Sequence, residues 1–119
     1  MPRVPPAVLV GPTLPESSAT VAARIAAARE TQHARCGRLN GRLSGRVLRA
    51  ACRLSRAAEL RAIELAELEG MSARGTERLF RVARTIADLA GADVVGMSDL
   101  DEAARYRSQA RTLQRRLAV

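Results

Sequence analysis

The stretch Ser72–Gly91, SARGTERLFRVARTIADLAG, decides the reading of this chain. It opens on a serine suited to cap a helix N-terminus and closes on a glycine suited to end one. Between them Leu79, Val82, Ala83, Ile86, Leu89 and Ala90 recur at helical spacing and define one apolar face. Arg74, Arg78 and Arg81 fall on a different face, toward the helix start. The pattern predicts a packed helix whose positive end carries a row of guanidinium groups. Electrostatics favours acids at that end, so a cation there is mildly unexpected. A guanidinium is always charged and donates several coplanar hydrogen bonds, which suits a phosphate-like anion. The competing reading is a solvated face of ordinary surface arginines.

Working outward, the same punctuation recurs. Ser17 or Ser18 caps a first helix running to about Cys36, with Val21, Ile25, Ala28 and Gln32 on one face and Gly37 at its end. Residues 37–43 form a loop in which Asn40 caps or bridges through its amide. Ser44 caps a short second helix to about Cys52, with Val47, Leu48 and Ala51 inward and Arg46, Arg49 and Arg53 outward. Ser55 caps a third helix to Glu69, stopped by Gly70, with Leu60, Ile63, Leu65, Ala66 and Leu68 as its apolar face. Residues 91–97 form a connection too short for a sheet of their own. Ser98 and Asp101 form a capping box for a fifth helix from Leu100 to about Ala110. The expected fold is all-α, a compact bundle of about five helices over residues 17–110. Residues 1–16 hold all five prolines and read as an extended linker; residues 111–119 read as a fraying tail.

Composition supports this. The chain has 119 residues, enough for one domain, and aromatic residues make up 2% of it. The core must therefore be assembled from small helix faces rich in alanine and leucine. The net charge of +8 is uneven. The excess lies between Arg35 and Arg56, where Arg35, Arg38, Arg42, Arg46, Arg49, Arg53 and Arg56 have no acidic neighbour in sequence. Such a run repels itself unless an anion lies nearby, either phosphate or an acidic partner surface.

Two cysteines, Cys36 and Cys52, stand without a CxxC or a Cys/His cluster, so no zinc site is expected. Cys52 reads as a small core residue. His33 has no nucleophile or carboxylate beside it in sequence to make it catalytic. No long apolar run or signal peptide is evident, which leads to the expectation of a cytoplasmic protein with no membrane partner. The chain contains no lysine and no G-x-x-x-x-G-K-[ST] loop, so it cannot cradle and hydrolyse a nucleotide in that manner alone.

The stretch SARGTERLFRVARTIADLAG also resembles the C-terminal signature of the magnesium-chelatase-like AAA+ ATPases of the ComM (YifB) type. Three further segments resemble that family in the same order: ESSATVAARIAAARETQHAR, GRLNGRLSGRVLRAACRLS and DEAARYRSQ. The resemblance covers about residues 16–109. It implies an AAA+ lid domain, with ATP and magnesium serving the full-length family rather than this chain. It also implies a sensor-2 role for Arg74, reaching the terminal phosphates of a nucleotide. Arg78 and Arg81 are weaker phosphate-contact candidates. The implied partners are an ATPase core and neighbouring subunits of a hexameric ring. In the branch that inserts magnesium into porphyrin the lid sits against a neighbour, so Arg74 would act in trans. Gly75 and Gly96 depart from the usual pattern and would loosen the lid. The reading from charge alone remains open beside this one: a free-standing arginine-rich module binding DNA or RNA through Arg38, Arg42, Arg46, Arg49 and Arg53.

Overall fold

In a computed structural model, residues 17–117 are described. Five α-helices follow in order, and among the described residues there is no strand beyond one isolated bridge. They are α1 (Ser18–Cys36), α2 (Gly45–Cys52), α3 (Arg56–Glu69), α4 (Ala73–Leu89) and α5 (Met97–Leu117), with a 3-10 turn at Asn40–Arg42. The expected all-α bundle is therefore the fold. The proline segment 1–16 lies outside the described residues.

The helix starts follow local chemistry. Ser17, Ser55 and Ser72 each accept a hydrogen bond from an amide of the first turn, at 3.1 Å in each case. Ser44 holds the N-cap position of α2 without such a bond; the Gly45 amide instead donates to Glu77 Oε1 at 2.8 Å. The start of α5 differs from the expected capping box. The helix begins three residues earlier, at Met97, and the Gly96 amide donates to Asp99 Oδ2 at 2.9 Å. Asp99 thus does the reaching back that was assigned to the Ser98–Asp101 pair. The helix also continues to Leu117, through residues expected to fray.

Helix ends are equally specific. Gly70 closes α3 at φ +58°, a conformation that costs glycine little and other residues much. The matching position after α2 is Arg53 at φ +46°, the one non-glycine residue of positive φ among those described.

α4 is the central helix. It packs against α5 on one side and against α1, the 3-10 turn and α2 on the other, while α3 packs on α5. The core is Leu43, Leu48, Leu65, Leu79, Phe80, Val95 and Leu100, filled in by alanines of α2, α3, α4 and α5. Alanine lets helix axes approach closely, but each buried methyl contributes only about 0.8 kcal/mol.

Several apolar positions face outward where the sequence pattern placed them inward. Val47 is 55% exposed, and Leu60, Ile63 and Leu68 of α3 are also exposed. The buried face of α3 is Ala58, Ala62 and Leu65, so Leu65 alone of the expected face is fully inside. Ile25 of α1 is exposed too, leaving Ala28 and Gln32 as that helix's buried residues. In α4 the buried set is Leu79, Phe80, Ala83, Arg84, Ala87 and Asp88, so the face is rotated away from Leu89 and Ala90. The rotation has a cause: two charged residues of α4 are inside.

The connection from α4 to α5 is held to α2's exit. Leu54 and Val95 form a parallel bridge, the Ser55 amide donates to Val95 O at 3.1 Å, and the Val95 amide donates to Arg53 O at 3.2 Å.

Candidate functional site: an arginine-rimmed groove and a buried ion network

The first turn of α4 and the middle of α5 diverge to leave a groove of about 470 Å³. Its apolar floor includes Leu79, Val82, Ala103 and Ala110, and its rim carries Arg74, Arg78, Arg107 and Arg111 beside Tyr106. α4 has no acid in its first turn to offset its positive end. Arg74 and Arg78 are exposed and make no ion pair within the described residues. Arg107 is anchored, its Nη1 donating to Glu69 Oε2 at 2.8 Å. Tyr106 donates through Oη to Glu102 at 3.3 Å.

Gly75 sits where Arg107 comes close to α4. A Cβ there would lie 3.6 Å from Arg107 Nη2 and 3.4 Å from Ser72 Oγ, both ordinary contacts. Gly75 belongs to the regular first turn and donates its amide to the cap. It is therefore no loose point in the helix.

Arg81 separates from its two neighbours in the stripe. Its Nη1 donates to Leu43 O at 3.0 Å and lies 3.9 Å from Glu77 Oε2. It fastens α4 to the entry of α2 and does not line the groove. Of the three arginines, the structure brings Arg74 and Arg78 together with Arg107 and Arg111, and Arg81 serves packing.

The arginines Arg38, Arg42, Arg46, Arg49 and Arg53 are all exposed. They follow the 3-10 turn and the outer side of α2, away from the groove. Arg35 does not belong with them. It reaches Asp88 on α4, 53 residues away, with Nη2 donating to Oδ1 at 2.6 Å and Nη1 to Oδ2 at 3.3 Å. The acid that it lacks in sequence is supplied by the fold, and the hydrogen bond to Asp88 raises the Arg35 pKa further above its ordinary value.

Asp88 is the centre of the buried network. It also accepts from Asn40 Nδ2 at 2.8 Å and from Arg84 Nε at 3.1 Å. Arg84 has no solvent exposure. Its Nη1 donates to the carbonyls of Ala51, Cys52 and Asp93, and Nη2 to that of Ala92. One guanidinium thus caps the C-terminus of α2 and ties down the α4–α5 connection. Burial lowers the Arg84 pKa, with Asp88 opposing the shift. Gln32 completes the network, its Oε1 accepting from the Asn40 amide at 2.9 Å.

The sequence reading missed this network. A signal exists: Arg84 and Asp88 are one turn apart and share a side of the helix with Phe80 and Ala87, so neither belongs to a solvated face. Asn40 does act structurally, as expected. Cys52 is fully buried, its Sγ lying 3.7 Å from Phe80 O, and desolvation pushes its pKa from 9.0 up to about 11. His33 is exposed. Among the described residues no group of three or more His, Cys, Asp or Glu could hold a metal ion, and no helix is long and apolar enough to cross a membrane.

Comparison with known proteins places this geometry in context. The sequence model of the family described as magnesium chelatase, subunit ChlI C-terminal, matches residues 15–107. An uncharacterized protein YifB of Escherichia coli is 42% identical over 115 residues, covering 95% of this chain and 22% of that protein. Its Salmonella typhimurium counterpart is 45% identical over 100 residues, covering 82% and 19%. The competence protein ComM of Haemophilus influenzae is 33% identical over 100 residues, covering 84% and 20%. The chain thus spans about a fifth of the length of the curated relatives it matches.

Proposed function

We propose, from the premise that this chain belongs to the magnesium chelatase subunit ChlI C-terminal family, that it is the helical lid of a larger AAA+ ATPase. In this reading Arg74 is the sensor-2 arginine, and the α4–α5 groove receives the phosphate end of a nucleotide bound by the ATPase core. The observation that carries it is the pairing of two unpartnered, exposed guanidinium groups, Arg74 and Arg78, with an uncompensated helix N-terminus in one groove. Such donors stabilise charge that builds on phosphate oxygens as the terminal phosphoryl group leaves. Arg111 and Tyr106 face the same groove and define its far wall.

The role is accessory. Magnesium and the attacking water would be held by the core, since the described residues offer no carboxylate cluster. The lid would close over the nucleotide of its own subunit or of a neighbour in a hexameric ring, coupling nucleotide state to lid position. The two free thiols fit work in the reducing cytoplasm.

The test joins this chain to the Escherichia coli relative in place of the matching fifth. ATP hydrolysis by the chimaera is then compared with that of its Arg74→Ala variant, and binding of a fluorescent ATP analogue is read separately. The expected result is a loss of about a hundredfold in turnover, the scale of removing one charge-stabilising donor, with nucleotide binding altered far less. Equal turnover with and without Arg74 removes the assignment.

A further inference from the structure

The lid reading leaves two apolar surfaces uncovered, the outer side of α3 and the free end of α5. We infer that these two surfaces meet between copies of this chain, the C-terminal half of α5 of one copy lying along the outer side of α3 of the next.

α3 carries two apolar stripes where a helix packed on one side needs a single one. Ala58, Ala62 and Leu65 face the core. Leu60, Ile63 and Leu68 lie on the other side, each more than half exposed. Acids edge this second stripe. Glu59, Glu64 and Glu67 are exposed, and Glu59 and Glu67 make no ion pair among the described residues. The contacts of α3 with α5 lie toward its inner side, where Arg61 Nε donates to Asp101 Oδ1 at 2.7 Å and Glu69 holds Arg107.

The matching surface is on α5. Glu69 is the last residue of α3, so past Arg107 the helix α5 runs on beyond the end of its neighbour, through residues 108–117 and a rise of about 15 Å. Every residue of that stretch is exposed. Leu113 and Leu117, each more than half exposed, continue the line of Tyr106 and Ala110. The four residues alternate spacings of four and three, the periodicity of a helix–helix seam. Arg111, Arg115 and Arg116 accompany them, and no acid follows Glu102.

Charge selects the pairing. Two α5 ends would crowd arginines together and two α3 faces would oppose carboxylates, so like surfaces repel. Unlike surfaces attract: a leucine stripe flanked by arginines meets one flanked by glutamates, as the rim charges of a coiled coil do. One molecule cannot make this contact within itself, because its α5 already holds the inner side of α3 and the outer stripe faces away. A second copy supplies both the apolar surface and the opposite charge. One stripe on each helix covers far less than the roughly 1,200 Å² of a standard stable interface, so the isolated chain associates weakly, at about 100 µM. The contact uses neither Arg74 nor Arg78 and stands apart from the sensor assignment.

Sedimentation equilibrium of the full 119-residue chain, from about 10 µM to about 1 mM, brackets an association of this strength. It compares wild type, L60S/I63S, L113S/L117S and an equimolar mixture of the two variants. Far-UV circular dichroism and thermal melts check that both variants fold. The wild type is expected to gain mass with concentration, and each variant alone should lose about tenfold or more in association. The mixture decides. One variant keeps its α5 end and the other keeps its α3 face, so mixing restores one contact and the mass of a pair. If a serine pair unfolds, E59R/E67R and R115E/R116E carry the same mixing test with the leucines intact. The inference is overturned by a wild type that stays monomeric at the highest concentration, which would leave both surfaces to a different protein. It is equally overturned by association that survives in either variant, or by variants that stay monomeric when mixed, which would mean that like surfaces pair.

Discussion

Arg35 and Asp88 meet at 2.6 Å across 53 residues of chain, and the Asp88 carboxylate in this pair has no solvent exposure. The contact joins α1, a helix with two buried residues, to the centre of the bundle. Around it Asn40 and Arg84 satisfy the same carboxylate. The network therefore holds α1 in place where hydrophobic contact is thin.

Removing Asp88 leaves Arg84 buried without its counter-charge. Asp88→Ala is expected to cost about 3 to 5 kcal/mol, the scale of breaking a buried pair from one side. Arg84→Met should cost a similar amount, because four backbone carbonyls lose their donor. Arg35→Ala should cost less, since its side chain retains 20% exposure. Urea denaturation of the three variants orders them.

The arginine stripe of α4 should divide by stability. Arg81→Ala is expected to destabilise by about 1 kcal/mol, the worth of its hydrogen bond to Leu43 O. Arg74→Ala and Arg78→Ala should fall within about 0.5 kcal/mol of wild type, as exposed substitutions do. Thermal melts of the three single variants separate a packing arginine from two available ones.

The stripe shows how far the sequence could be read. Periodicity and serine–glycine punctuation placed all five helices, because caps are local chemistry. Which side of each helix is buried was less legible. Leu60, Ile63 and Leu68 looked like a core face, yet α3 packs through Ala58, Ala62 and Leu65, a stripe at three- and four-residue spacing in which two small side chains give little hydrophobic signal. Arg84 and Asp88 were not singled out, since apart from each other their partners come from segments 8 to 53 residues away. The groove was half legible: Arg74 and Arg78 were visible as a stripe, while Arg107 and Arg111 join them only through the crossing of α4 and α5.

Cys52 supplies a pH dependence. Its thiol titrates at 9.0 ordinarily and at about 11 in the fold, because burial penalises the thiolate. The folded state thus keeps a proton that the unfolded chain releases. This contribution to stability is complete below pH 9, declines as pH rises, and is gone above about pH 11. Urea midpoints of wild type should fall across that window more steeply than those of Cys52→Ala. With a thiol reagent at pH 8, half-buried Cys36 should react first and Cys52 only on unfolding.

Gly75 and Arg53 are opposite cases of backbone choice. Gly75→Ala meets open first-turn geometry and contacts no closer than 3.4 Å, so it should stabilise by up to about 1 kcal/mol. Arg53→Gly relieves a left-handed arginine at φ +46° and should stabilise by about 1 kcal/mol. The melting temperatures of Gly75→Ala and Arg53→Gly, each measured against wild type, check both expectations.

The convergence of Ala51, Cys52, Ala92 and Asp93 carbonyls on Arg84 also sets the order in which the molecule opens. No one of these segments can leave without orphaning the guanidinium for all the others. The end of α2, the middle of α4 and residues 92–95 therefore exchange their amide hydrogens as a single cooperative unit, at the free energy of global unfolding. α1, whose buried residues are Ala28 and Gln32, detaches first and exchanges fastest from its outer turns. Hydrogen exchange would map one late-opening knot around a charged side chain, with a hydrocarbon core that follows its timing.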